Sequence, residues 1–177
     1  MLTYKSIEDY ISAEVAAGRL FYVPADPGAR MVRRIIVTPK IRGEIYGPNW
    51  SGISKTRAYG LQSELSWIVD GYEFKVALPN PARPLEPKPQ AVMRQLHPGP
   101  DEVWEIRGTL RPPLRLFGRF AARDWFVALD LDLREKLPKG SWTREIANCQ
   151  KKWNTYLPSF NPISGALNDY LSNVTLI

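Results

Sequence analysis

The segment VWEIRGTLRPPLRLFGRFAARDWFVALDLD, residues 103–132, decides how this chain folds and where its charge is displayed. It carries an arginine at every fourth position: Arg107, Arg111, Arg115, Arg119 and Arg123. On a helix that spacing would draw one basic stripe. Pro112 and Pro113 forbid a continuous helix, because each lacks a backbone donor and its ring collides with the preceding turn. The segment reads instead as strands 103–107, 114–120 and 125–132, joined by GTLRPP and AARD into an antiparallel meander. Pairing Phe120 with Trp125, Leu116 with Leu129 and Leu114 with Leu131 puts Leu114, Leu116, Phe120, Trp125, Val127, Leu129 and Leu131 on one face. Trp104 and Ile106 join that core side. The other face then receives Glu105, Arg107, Arg115, Phe117 and Arg119 with Phe126, Ala128 and Asp130, while Arg111 and Arg123 fall in the turns. Guanidinium groups and rings on an open sheet face can hold phosphates and stack on bases. The competing reading is a solvated, self-neutralised face, with Arg115 opposite Asp130 and Glu105 beside Arg107. On the residues alone the balance tilts toward the solvated face.

Working outward, Ser6 predicts a helix cap, with Glu8 and Asp9 in the first turn and a helix running to about Ala17 before Gly18. MVRRIIVT predicts a strand, and IRGEIYGPNWSG a second, shorter one. Ala58, Leu61, Leu65 and Ile68 predict a helix from Ser54 onward despite Gly60. Alternation in YEFKVAL predicts a strand. Five prolines between Pro79 and Pro89 mark an extended connection. Beyond the meander, Ser141 predicts the start of a helix with Trp142, Ile146, Cys149 and Trp153 on one stripe, and a last helix is expected from Ser164 through Val174.

The 177 residues suffice for one ordinary domain, and 44% hydrophobic with 24% charged residues is globular composition. The net charge of +6 makes a polyanionic partner attractive, yet the excess is thin: 13 Lys+Arg against 9 Asp+Glu in residues 1–100, and 11 against 9 in 101–177. No apolar run approaches a membrane span and the N-terminus lacks the order of a signal peptide, so a cytoplasmic protein without a membrane partner is expected. One cysteine, Cys149, excludes an intramolecular disulfide and any multi-cysteine zinc site. The sole histidine, His97, lies among turn residues in QLHPGP without an evident carboxylate partner. GPNWSGISKT lacks phosphate-loop spacing, and Asp130 and Asp132 lack further oxygen ligands, so neither a cofactor nor a metal is predicted.

The order WEIR, a basic turn, a strand containing RLFGRF, the apolar strand WFVAL, a basic loop and a helix with TREIANCQKKW resembles the RelE/HigB toxin superfamily, in particular its phage-derived branch. Trp104, Glu105, Ile106 and Arg107 match its first element, Arg115 and Leu116 its second, and Glu145, Ile146 and Asn148 approximate its last. The resemblance covers roughly the last 75 residues, short of the final helix. It implies a small twisted antiparallel sheet packed by helices, and many members are ribosome-dependent mRNA interferases paired with an antitoxin. Carried over by position, Arg107 and Arg115 would bind phosphate and stabilise the transition state of metal-independent RNA cleavage. Arg119 and Phe117, from the face argument, with Arg111, Arg123, Lys136 and Lys139, complete the expected nucleic-acid-binding set. The sequence departs from the family after the third strand, where DLDLREKLPKG replaces a loop containing histidine and lysines; Lys136 and Lys139 are the available substitutes.

The expectation is therefore an α+β fold in which the C-terminal meander and N-terminal strands form a small twisted antiparallel sheet. Residues 1–78 would form an N-terminal α/β part, 79–100 a proline-rich connection and 101–177 the RelE-like part, separately or as one compact domain. Three functions remain open, the first two being a RelE/HigB-like RNA-binding toxin, with RNA or the ribosome and an antitoxin as partners, and a non-catalytic interaction module of a phage or mobile element. A plain accessory protein is the third.

Overall fold

A computed structural model describes residues 6–47, 54–79, 90–96, 102–111, 113–137 and 142–177. The Pro79–Pro89 connection, apart from Pro79 itself, His97 and Lys139 lie outside them. Helix α1 spans Ile7–Ala16, and the Ser6 hydroxyl accepts the Asp9 N–H at 3.1 Å, as the capping pattern predicts. Strands β1 (Phe21–Tyr22) and β2 (Arg34–Val37) follow, then helices α2 (Pro39–Tyr46) and α3 (Lys55–Val69). Next come β3 (Phe74–Ala77), β4 (Met93–Gln95), β5 (Trp104–Arg107), β6 (Leu114–Ala122) and β7 (Trp125–Leu133). A 3-10 turn at Arg134–Lys136 leads to α4 (Thr143–Tyr156), a single turn α5 (Leu167–Tyr170) and β8 (Val174–Leu176).

Among the described residues, eight strands join one sheet in the order β1-β2-β7-β6-β5-β4-β3-β8. The fold is α+β, but the sheet is neither small nor purely antiparallel. The predicted meander β5-β6-β7 sits at its centre, while β2 pairs with β7, and β3 with both β4 and β8, in parallel. Two elements differ from expectation for local reasons. Of the stretch read as a second strand, residues 41–46 belong to α2, because Thr38 caps the Ile41 N–H and Pro39 supplies a preset first helical residue; residues 48–52 lie outside the described residues. The expected last helix stops after one turn; Asn173 adopts a positive φ of 50° and the β-branched pair Val174–Thr175 continues as an edge strand.

The register between β6 and β7 is also corrected. Phe120 faces Phe126, Leu116 faces Leu131 and Leu114 faces Leu133, with register shifts at Phe117/Gly118 and Phe120/Ala122. Between the pairs Phe117–Asp130 and Gly118–Ala128, Leu129 is the extra residue, a bulge that exchanges the faces of β7 halfway along. Phe126 and Ala128 thus join Leu116 and Phe120 under α2 and α3, and Val127 and Leu129 join Phe117 under α1 and α4. Gly118 permits this, since a Cβ there would run into the Val127 carbonyl oxygen and the Phe126 ring.

The consequence is a sheet buried on both sides. One core gathers Ile41, Ile45, Leu61, Leu65 and Ile68 against Trp104, Ile106, Leu116 and Phe120. The other gathers Ile11, Ile146, Cys149 and Trp153 against Phe117, Ala121, Val127 and Leu129. The helical stripe Ile146, Cys149 and Trp153 is buried as its spacing predicts, and burial pushes the Cys149 thiol far above its ordinary range. Trp125 and Trp142, expected in the core, are only partly buried at its margin. The face expected to be open is covered over most of its length.

Candidate anion-binding site

The covered face remains accessible at one end of the meander. The pairing of β4 with β5 sets Arg94 opposite Glu105, and the pairing of β5 with β6 sets Arg107 opposite Arg115. Alternation along β5 places Glu105 and Arg107 on one face, so three guanidinium groups surround one carboxylate. Arg115 Nε lies 3.4 Å from Glu105 Oε2, and Arg107 Nε 3.7 Å from Oε1. Glu105 and Arg115 are almost fully buried, whereas the Arg107 side chain is 21% exposed. Burial raises the Glu105 carboxyl above its ordinary range against the opposing pull of Arg115, Arg107, Arg94 and Arg134; burial likewise lowers Arg115, opposed by Glu105.

These side chains open into a groove of about 780 Å³, bordered by Val92, Arg107, Arg111, Pro113, Arg115 and Arg134. Two pieces of chain shape its walls. The β5–β6 loop is tied to α3, where Thr109 donates its N–H to Glu64 at 2.9 Å and Leu110 lies against Gly60. The 3-10 turn brings in Arg134, which stacks 5.2 Å over Trp142 and donates to the Leu137 carbonyl. Trp142 in turn packs on Phe117, with ring centroids 5.8 Å apart. The groove therefore carries four arginines at its border, one buried carboxylate beneath and one exposed carboxylate, Glu135.

The expected site residues divide around this groove. Arg107, Arg115 and Arg111 come together there. Arg119 lies four residues farther along β6, nearly buried beneath α4 with its guanidinium 5.6 Å over the Trp153 ring. Phe117 is fully buried and offers no ring to an incoming base. Arg123 is exposed in the β6–β7 turn, at the other end of these strands. Lys136 is exposed on the 3-10 turn and borders a separate cleft. The expected pairing of Arg115 with Asp130 is replaced: Arg115 faces Asp132, and Asp130 is held by Lys152 at 2.7 Å. Arg94 and Arg134 carry no signal in the sequence. Strand β4 has only three residues and weak alternation, and LREKLPKG shows no sign of folding back over the sheet.

Among the described residues, no cluster of three or more His, Cys, Asp or Glu side chains could hold a metal ion, and no helix is long and apolar enough to cross a membrane. No protein-family model, curated protein or solved structure matches the chain.

Proposed function

We propose that this protein binds RNA through its phosphates in the arginine groove at the end of β5 and β6, in keeping with the resemblance to the RelE/HigB superfamily. The observation that carries the reading is the convergence of Arg107, Arg111, Arg115 and Arg134 on one groove over a single buried counter-charge. Guanidinium groups held in fixed orientation match phosphate oxygens in pairs. Glu105 approaches the Nε side of Arg107 and Arg115. Arg115 Nη1 also donates to the Leu114 carbonyl at 2.9 Å, which fixes the orientation of its guanidinium at the groove. Ala91, Val92 and Pro113 supply apolar surface against which an unpaired base can lie.

The test is fluorescence anisotropy with a single-stranded RNA oligonucleotide across a salt series. Affinity should fall with salt, and Arg107→Ala and Arg134→Ala should each weaken binding about tenfold and flatten the salt slope by about 0.7 for each phosphate no longer held. Binding that ignores both substitutions overturns the reading. Holding the strand is favoured over cutting it, because Glu105 is buried among guanidinium groups and, among the described residues that border the groove, Glu135 is the one carboxylate placed to take a 2′-hydroxyl proton. Growth arrest on expression that Arg107→Ala relieves would instead favour an interferase, with the ribosome and an antitoxin as its partners.

A further inference from the structure

On the other side of the 3-10 turn, the C-terminal part of β7 has, among the described residues, one edge without a neighbouring strand. β2 ends at Val37, opposite Ala128, so beyond the Leu129 bulge residues 130–133 pair with β6 alone. On the open edge, the N–H groups of Leu131 and Leu133 are taken by the side chains of Asp130 and Asp132, at 3.2 and 2.8 Å. A residue's N–H and C=O leave a strand on the same side, so the Leu131 and Leu133 carbonyls face this edge as well. It opens into a cleft of about 430 Å³ between α2 and α4.

Charges in the cleft are layered by depth. Its carboxylates lie inside: the side chains of Glu145, Glu44, Asp130 and Asp132 are 3%, 16%, 16% and 34% exposed. Two of its cations, Lys40 and Arg144, stand at the mouth with 68% and 62% exposure; Lys40 makes a loose contact of 3.8 Å to Glu44, and Arg144, which holds Glu145 closely, makes one of 4.0 Å to Asp132. Exposed pairs of that kind contribute little and are easily exchanged. Glu145 is more than nine-tenths buried and borders the cleft; its Oε1 accepts from Arg144, but its Oε2 has no hydrogen-bond partner. Burial, reinforced by Asp130 and Asp132, raises the Glu44 carboxyl against the pull of Lys40 and Lys152, so the carboxylates strain against one another. Arg144 Nη2 spans the site, 2.9 Å from Glu145 and 4.0 Å from Asp132, and shows which group fits between them.

We propose that this cleft is a second binding site, independent of the arginine groove, for an organic cation whose guanidinium or primary ammonium group reaches Glu145 Oε2, Asp132 and the edge carbonyls of β7. Such a group brings several N–H donors to a wall of acceptors. The carboxylates do not close into a metal-binding set among the described residues. The cation can come from a free amine or from the arginine side chain of a protein.

Isothermal titration calorimetry of the full chain with agmatine, with an arginine-containing tripeptide amide and with magnesium chloride tests the proposal. Saturable binding of at least one organic cation is expected. Glu145→Gln should weaken it about tenfold or more, and Arg144→Gln, which removes the competing guanidinium, should tighten it. Tighter binding of the tripeptide points to a protein partner, and tighter binding of agmatine to a free amine. Should Glu145→Gln fail to fold, Glu44→Gln on α2 replaces it, with the same direction expected. No saturable heat with either organic cation, indifference to the carboxylate substitution and to Arg144→Gln, or displacement of agmatine by magnesium at equal stoichiometry overturns the proposal.

Discussion

Arg115 and Arg119 stand on the same face of one strand, about 13 Å apart by strand rise, yet their surroundings differ. Arg115 is paired with a buried carboxylate and borders a groove that three other arginines share. Arg119 is packed under a helix against an indole ring. The strand pattern treats the two alike, so what separates them is the chain that follows β7. Helix α4 crosses over Phe117 and Arg119, whereas the 3-10 turn stops short of Arg115 and adds Arg134 beside it. The function of an arginine on a sheet is thus decided by the layer above it.

The largest expected effect breaks this comparison at Arg115. Arg115→Ala removes the nearest of the guanidinium groups around the buried Glu105 carboxyl and should cost about 3–5 kcal/mol in urea denaturation. Arg119→Ala removes the packing over Trp153 together with the side chain's other contacts and should cost about 1–2 kcal/mol. Equal costs would show that the two environments are energetically the same. The double variant Glu105→Leu with Arg115→Leu sharpens the point: removing both charges should recover most of the stability that Arg115→Ala forfeits, since a buried pair is often replaceable by apolar side chains. A double variant no more stable than Arg115→Ala would contradict the pairing.

A smaller effect follows from the raised Glu105 carboxyl. Between the ordinary value of 4.5 and that raised value, the folded chain retains a proton the unfolded chain has released. Stability contributed by Glu105 therefore falls as pH rises through that window. Thermal unfolding of the wild type and Glu105→Gln across that range should show the decline in the wild type and its absence in the variant. The smallest effect concerns the groove wall. Gly60→Ala should push Leu110 off α3 and weaken RNA binding, while stability changes by less than about 1 kcal/mol, because a helical alanine offsets the loosened packing. Unchanged affinity would show that the docked loop does not shape the groove.

Much of the centre of the molecule is legible in the sequence, and the limits have physical causes. Pro112–Pro113 and the apolar runs on either side specify β5, β6 and β7, and the spacing of Ile146, Cys149 and Trp153 specifies the buried side of α4. The bulge at Leu129 is not legible, because one extra residue on a strand buried on both faces leaves no break in hydrophobicity. Nor is the cover over Phe117 and Arg119. A face that reads as half polar has its polar members buried by a helix later in the chain. At the groove, Arg107, Arg111 and Arg115 follow from strand alternation and turns, whereas Arg94 and Arg134 enter through a three-residue strand and a 3-10 turn, both too short for a periodic signal. Thr38–Pro39, which reads as the end of a strand, is also a helix start; the two readings differ only in what packs against Ile41 and Ile45.

The groove around Glu105, rather than the sheet face as a whole, is the surface proposed to hold phosphate. The most direct measurement is a titration of the labelled protein with single-stranded RNA, following the arginine Nε–Hε resonances by NMR. Shifts at Arg107, Arg115 and Arg134, with Arg119 unmoved, are the predicted result. Shifts spread evenly over Arg119 and Arg123, or confined to them, would contradict it.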